Sequence, residues 1–271
     1  MARPTVLIAL TLSILLPTVL FAAATEKITL TGSSTIAPLA LELAKAFEKK
    51  NPGVRVDVQS GGSSRGVSDA RQGLADIGMV SRALNPDEKD LTPFVIAKDG
   101  ICIILNKKNQ VTKLSDEQII NIYLGKIKSW KEVGGKDAPI TVVNKAEGRS
   151  TLELFLHYFK IKNSDIKASV VIGDNEQGIK TVAGNPDAIG YVSIGTAEYN
   201  ETSGTPIKVL PISGVVASTE NVKNGTFPLS RVLNLVTKGE VTGMKKKFIE
   251  FAQSNEVIEI VKQQYFVPAT K

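Results

Sequence analysis

Cysteine and histidine are nearly absent from this sequence, which contains one of each, Cys102 and His157. A single cysteine cannot form an intrachain disulfide, and this pair is too small for a zinc site or a histidine-based catalytic triad. No G-x-x-x-x-G-K-[ST] phosphate loop occurs either. We therefore expect no cofactor, no metal and no enzymatic activity. Cys102, in the apolar run "GICIIL", is predicted to be a buried structural thiol, and His157 to have a helix-packing or surface role.

Long hydrophobic runs are also scarce. The run Val6–Phe21 spans 16 residues, which is short for a membrane-spanning helix. Arg3 precedes it, and the small residues 22–24 follow it, as in a cleaved secretory signal. The sequence thus predicts a signal peptide over residues 1–24, cut near residues 22–24, and in a Gram-negative cell a periplasmic protein. An uncleaved N-terminal anchor is the alternative.

Charge is moderately positive, with 33 Lys and Arg against 27 Asp and Glu and a net charge of +6. Such an excess suits an anionic ligand, and it also suits nucleic acid. The lysines are scattered, however, and no arginine-rich arm or aromatic-basic strand pattern is present. We therefore expect no nucleic-acid partner.

Strand-like and helical patterns alternate along the chain. Residues 27–30 read as a strand, residues 36–50 as an amphipathic helix, and Val54, Val56 and Val58 alternate with polar residues as in a second strand. Further strands are predicted at 77–80, 100–106, 140–144, 188–194 and 232–239, and further helices at about 67–73, 116–124, 243–253 and 255–265. This alternation predicts an α/β fold with mainly parallel sheets.

Three loops combine glycine with hydroxyl-bearing residues at strand-to-helix junctions: "TGSST" (31–35), "GGSSRG" (61–66) and "EGRST" (147–151). The first N–H groups of a helix lack intrahelical partners and carry partial positive charge. Glycine lets an anion approach the backbone, and Ser and Thr add O–H donors. Each loop alone fits an ordinary helix cap equally well. Together they indicate an anion site.

Arginines lie close to these loops. Arg65 is inside the second loop, Arg149 is inside the third, and Ser81-Arg82 directly follows the strand "DIGMV". In open α/β sheets, ligands bind at the carboxyl ends of strands, where all these segments lie. Guanidinium groups match tetrahedral oxyanions with two parallel hydrogen bonds. The alternative is three separate helix caps with surface arginines that never meet.

The order of several motifs resembles that in periplasmic phosphate-binding proteins of ABC transporters. These motifs are "TGSSTIAP", "GGSSRGV", "ADIGMVSR", "GRSTLELF", "AIGYV" and "NGTFPLSRVLNLVTKG", and the resemblance covers about residues 27–267. It implies a two-lobed class II periplasmic-binding-protein fold that closes on phosphate, with each lobe a mainly parallel sheet flanked by helices. It also implies a monomer that delivers phosphate to membrane permease subunits.

The resemblance implies lobe one over residues 25–104 and 228–271, and lobe two over residues 105–227. The predicted ligand-binding residues come from both lobes: Ser34, Thr35, Ser63, Ser64, Ser81, Arg82, Arg149, Ser150 and Thr151. In the third loop the arginine usual in the family is Lys145 here, and Arg149 is expected to supply the guanidinium from a new position.

One departure from the family pattern leaves the identity of the ligand undecided. Several family members have an aspartate, which accepts the proton of HPO₄²⁻, at the position of Arg82. Asp76, which begins the strand, and Glu147, which is nearer the third loop, are the candidate substitutes. Sulfate, molybdate or tungstate therefore remain alternatives to phosphate. A phosphate-ester hydrolase, and a sensor or adhesion module without a transporter, are the further alternatives.

Overall fold

A computed structural model describes residues 26–269, so the predicted signal peptide lies outside the described residues. The strands are β1 Glu26–Gly32, β2 Val54–Ser60, β3 Ile77–Val80, β4 Leu91–Asn106, β5 Thr141–Lys145, β6 Val170–Ile172, β7 Ala188–Ser193, β8 Ile207–Leu210, β9 Ser230–Lys238 and β10 Val267–Pro268. The helices are α1 Ala37–Lys50, α2 Ser63–Gln72, α3 Asp116–Tyr123, α4 Ser150–Phe159, α5 Asn175–Gly184, α6 Ile194–Thr202, α7 Thr219–Lys223, α8 Gly243–Ala252 and α9 Ile258–Gln263. In this part of the chain, no helix is both long enough and apolar enough to cross a membrane.

The strands follow the order β2-β1-β3-β9-β4-β7-β5-β6, with β8 and β10 also paired to β4. Pairing is parallel on both outer sides, between β1 and its neighbours β2 and β3 and between β5 and its neighbours β6 and β7. The long strands β4 and β9 pair antiparallel with each other. The predicted α/β fold is confirmed, and β4 and β9 join its two halves.

Two large hydrophobic cores flank these long strands. The first contains β1, α1 and α8, and the second contains α3, α4, α5 and β7. Core membership changes between Ala97 and Ile101 on β4, and between Leu229 and Leu233 at the start of β9. We call the halves that carry these cores lobe one and lobe two. The long strands β4 and β9 thus connect two units that each pack around a separate core.

The helices that follow the glycine loops begin close to the cleft between the lobes. In α1, Leu39, Leu43 and Phe47 are buried on one face, as the apolar spacing predicts. Helix α2 begins at Ser63, about four residues earlier than predicted, because Gly62 adopts a positive φ of 99° just before it. This early start brings the first turn of α2 to the cleft.

Candidate functional site

The three glycine-hydroxyl loops meet at one small pocket between the lobes, with about 190 Å³ of empty space when its solvent-open mouth is included. Its wall is formed by Ser33, Ser34, Thr35, Gly62, Ser63, Ser81, Lys145, Arg149, Ser150, Thr151 and Gly173. All the predicted site residues except Ser64 and Arg82 are in this set. The structure therefore brings together hydroxyls and helix starts that are more than 100 residues apart in sequence.

In the first loop, Ser33 has the capping role. Its hydroxyl oxygen accepts the backbone N–H groups of Thr35 and Ile36 at 3.2 and 3.3 Å. Its own N–H donates to the carbonyl oxygen of Met79 at 2.8 Å. Since Ser33 satisfies these helix-start donors, the hydroxyls of Ser34 and Thr35 are left to line the pocket.

The second loop approaches the third very closely. A Cβ atom on Gly62 would lie 2.6 Å from the carbonyl oxygen of Gly148, so only glycine fits there. The Ser63 hydroxyl oxygen accepts the N–H of Ser81 at 3.1 Å. The two serine hydroxyl oxygens also lie 3.5 Å apart, where either can donate, and both residues line the pocket.

The third loop ends at the first turn of α4. The hydroxyl oxygen of Ser150 is buried and has no hydrogen-bond partner among the described residues. Burying a hydroxyl without a partner is costly, so such groups in native proteins usually indicate a missing water or ligand. Ser150 lines the pocket, where its hydroxyl is open to further hydrogen bonding.

Positive charge enters the pocket from lobe two alone. Lys145 and Arg149 line it, and neither is paired with a carboxylate among residues 26–269. Lys145 is only 2% exposed. Burial, assisted by the nearby charges of Arg231 and Arg149, lowers the pKa of Lys145 to about 7, although Asp174 opposes this shift. With no carboxylate in its wall, the pocket is suited to a small anion.

Arg82 and Ser64 are the predicted site residues that the structure places outside the pocket. The Arg82 guanidinium donates to both carboxylate oxygens of Glu88, at 2.7 and 2.9 Å. Its Nε donates to Glu153 of lobe two at 2.6 Å. Since two carboxylates already satisfy this guanidinium, Arg82 joins the lobes beside the pocket rather than facing an anion. The Ser64 hydroxyl likewise donates to Glu153, at 3.3 Å.

Neither candidate proton acceptor lines the pocket. The Asp76 carboxylate accepts the backbone N–H of Thr29 at 2.8 Å, at the start of β3 and away from its pocket end. The Glu147 carboxylate accepts the amide of Asn163 at 3.1 Å on the surface. Arg82 stands where several members of the related family have an aspartate, and neither Asp76 nor Glu147 replaces that carboxylate in the pocket wall.

The sequence prediction omits two cations of the site, Lys145 and Arg231. Lys145 stands where the related family has an arginine, which was a usable signal. Arg231 donates to the hydroxyl oxygens of Thr35 and Thr151, each at 3.0 Å, from behind the pocket wall. It follows Ser230 as Arg82 follows Ser81, but its partners are distant in sequence and give no local signal.

Hydrolase chemistry has little support at this site. Residues 62–66 read Gly-Ser-Ser-Arg-Gly, which has the G-x-S-x-G spacing of a nucleophile elbow. The central Ser64, however, is bonded to Glu153 rather than to a histidine. His157 is exposed near the end of α4. Cys102 is fully buried, as predicted, and burial raises the pKa of its thiol well above the usual value.

Comparison with protein families gives one model that covers most of the chain. The PBP superfamily domain matches residues 21–256. Among curated relatives, the phosphate-binding protein PstS of Bacillus subtilis is 31% identical over 252 residues, covering 91% of this chain and 82% of the relative.

Solved structures of phosphate-binding proteins are also similar to this chain. A Clostridium perfringens protein crystallised with bound phosphate is 34% identical and superposes with a TM-score of 0.84, covering 90% of this chain and all of its own. An ABC-type phosphate transport receptor from Vibrio cholerae is 29% identical with a TM-score of 0.73, at the same coverage.

Proposed function

Because this chain belongs to the PBP superfamily, and within it to the family of the phosphate-binding protein PstS, we propose that it captures inorganic phosphate between its two lobes. It then delivers the anion to an ABC importer. It acts as a solute-binding protein and not as an enzyme.

The observation that carries this proposal is the composition of the pocket wall. Two cations that pair with no carboxylate in the described part of the chain, Lys145 and Arg149, face hydroxyls and helix starts from three loops. Charge-assisted hydrogen bonds contribute about 1.5–3 kcal/mol each. Several of them outweigh the dehydration of a small dianion and leave about −8 kcal/mol, which is micromolar binding.

The lobe boundaries proposed from the sequence are residues 25–104 with 228–271, and residues 105–227. The two separate cores and the two long connecting strands support a division into two lobes. The cores change at 97–101 and 229–233, so residues 101–104 pack with lobe two and the first crossing lies a few residues before the proposed boundary. Contacts between the lobes surround the pocket, for example the N–H of Ser64 donating to the carbonyl oxygen of Gly148 at 3.2 Å. A ligand that contacts both lobes favours the closed form, which the transporter then recognises.

Periplasmic localisation is part of the same proposal. The apolar N-terminal segment with its small-residue cleavage site supports export, with cleavage near residues 22–24. The partners are inorganic phosphate and the permease subunits of an importer, and the protein acts as a monomer.

Another tetrahedral oxyanion, such as sulfate, molybdate or tungstate, is the second candidate ligand. These oxyanions stay candidates because no carboxylate lines the pocket wall among the described residues. A carboxylate would accept the proton of HPO₄²⁻ and repel sulfate, which has no proton to donate. Here hydroxyl oxygens of the wall, such as that of Ser150, can accept that proton instead.

Isothermal titration calorimetry with phosphate, sulfate and molybdate at pH 6 and pH 8 tests the proposal. We expect phosphate to bind with a dissociation constant in the micromolar range or below at both values. If phosphate gives no heat and another oxyanion binds, that oxyanion replaces phosphate as the proposed ligand. Steady release of p-nitrophenol from its phosphate ester would instead support the hydrolase alternative.

A further inference from the structure

Arg231 and Asp99 form a buried ion pair where the two long strands pass between the lobes. They are direct cross-strand partners on β9 and β4. Nε and Nη2 of Arg231 donate to Oδ2 of Asp99 at 3.0 and 2.7 Å, and the two side chains are 1% and 0% exposed. Oδ1 of Asp99 accepts the N–H of Gly195 at 3.2 Å. The pair is therefore neutral as a unit and held in place from both sides.

The other edge of the same guanidinium contacts both lobes. Nη2 donates to the hydroxyl oxygen of Thr35 in lobe one, and Nη1 donates to that of Thr151 in lobe two, each at 3.0 Å. Both threonines line the pocket, but Arg231 does not. The rigid, planar fork of arginine allows one side chain to hold two hydroxyls at a fixed separation.

These contacts determine which way the hydroxyls point. A threonine hydroxyl has one O–H donor and two acceptor positions. The Thr35 oxygen accepts from Arg231 and also from the Asn175 amide at 3.1 Å, so both acceptor positions are used. The hydrogen of the Thr35 hydroxyl must therefore be donated to another group. The pocket, which Thr35 lines, lies on the side that Arg231 and Asn175 leave open. Thr151 has one acceptor position used, which biases it in the same direction.

We propose that Arg231, fixed by Asp99, is a positioning residue that makes the Thr35 and Thr151 hydroxyls donate to the bound anion and thereby couples anion binding to closure of the lobes. The coupling arises because one guanidinium can contact both hydroxyls only when the two lobes are close together. The inference rests on the proposed function of anion capture, and it adds a residue that does not touch the anion.

A double-mutant cycle tests the inference, with phosphate titrated into the full-length protein by calorimetry. In Arg231→Lys the charge is kept but the fork is lost, so we expect about tenfold weaker binding. Thr151→Val removes the hydroxyl at nearly constant volume and should also weaken binding about tenfold. If Arg231 acts through Thr151, the double variant loses little more than either single variant.

Arg55→Lys is the matched control, since Arg55 is an exposed arginine on β2 paired with Asp57. We expect its affinity to stay within twofold of that of the wild type. Small-angle scattering supplies a second readout. Phosphate should compact the wild type and compact Arg231→Lys less at matched saturation.

The outcomes separate the two claims. Fully additive losses in the cycle, or equal compaction of Arg231→Lys and wild type, would overturn the role of Arg231 while phosphate binding stands. Failure of the wild type to bind any tetrahedral oxyanion would instead overturn the proposed function. If Arg231→Lys does not fold, the cycle is made with Thr35→Val and Thr151→Val, where additive losses again overturn the inference.

Discussion

The two sides of the cleft contribute different chemistry to one pocket. Lobe one supplies hydroxyls and helix starts, through Ser34, Thr35 and Ser63, and no cation in the pocket wall. Lobe two supplies both cations, Lys145 and Arg149, and also the hydroxyls of Ser150 and Thr151 at the start of α4. The difference teaches that hydroxyl donors come from both lobes here, whereas positive charge comes from one. Lobe two both neutralises the anion and donates to it, and closure then adds the donors of lobe one.

Pairing explains why Arg82, which directly follows Ser81 of the pocket wall, adds no charge to the pocket. Arg82 is bonded to Glu88 and Glu153, so its charge is compensated before any ligand arrives. No carboxylate among the described residues pairs with Arg149. An arginine close to an anion site therefore contributes to it only when no carboxylate already occupies its fork.

Removing the guanidinium on the lobe-two side should have the largest effect. We expect Arg149→Ala to weaken phosphate binding by at least tenfold, because a charge-assisted contact worth about 1.5–3 kcal/mol is lost. Calorimetry measures the change. Arg65→Ala is the matched control, because Arg65 belongs to the second loop but is paired with Asp69 outside the pocket. Equal affinities of the two variants would show that Arg149 does not contact the anion.

The pH dependence of binding should be the next largest effect. Lys145 has a pKa of about 7 in the empty pocket, so it loses its charge as the pH rises through 7. Its charged neighbours are Arg231 and Arg149, which favour this loss, and Asp174, which opposes it. A bound dianion favours the ammonium form and raises its pKa, so binding above pH 7 takes up a proton.

Affinity should therefore fall several-fold between pH 8 and pH 9, where phosphate itself is already mostly a dianion. Calorimetry at pH 8 in two buffers of different ionisation enthalpy measures the proton uptake. We expect uptake approaching one proton for the wild type and none for Lys145→Arg, which stays charged at every pH tested. Heats that do not depend on the buffer in either protein would contradict a titrating Lys145.

The smallest effect should come from the ion pair between Arg82 and Glu153, which crosses the cleft beside the pocket. The Glu153 side chain is 33% exposed, so solvent screening limits the pair to less than about 1 kcal/mol. We expect Glu153→Gln to weaken phosphate binding about two- to fivefold by destabilising the closed form. Glu117→Gln on the exposed face of α3 is the control. Unchanged or tighter binding by Glu153→Gln would mean that this pair does not favour closure.

Much of the site was predictable because its signals are local. "TGSST" and "EGRST" place glycine and hydroxyls directly before helices, and both loops line the pocket. Helix α2 was harder, since "GGSSRG" gives no apolar period before Val67. Its first turn forms because Gly62 takes a backbone conformation that other residues rarely adopt.

The charged residues were less predictable. Arg82 has the same local setting as a ligand. Its partner Glu88 is six residues away and gave a local signal, whereas its second partner Glu153 is 71 residues away. Arg231 pairs with Asp99 across 132 residues. Lys145 ends a buried strand, and only the packing of β5 against its neighbours shows that its amine reaches the pocket.

The sequence by itself determined the α/β class, the strands and helices with clear apolar periods, and the chemistry of the three helix starts, because caps and apolar periods depend on residues only a few positions apart. The tertiary structure decided which cations meet a carboxylate and which remain for the anion. The reason is physical: an ion pair depends on distance in space, and the fold brings distant segments together or keeps them apart without regard to their separation along the chain.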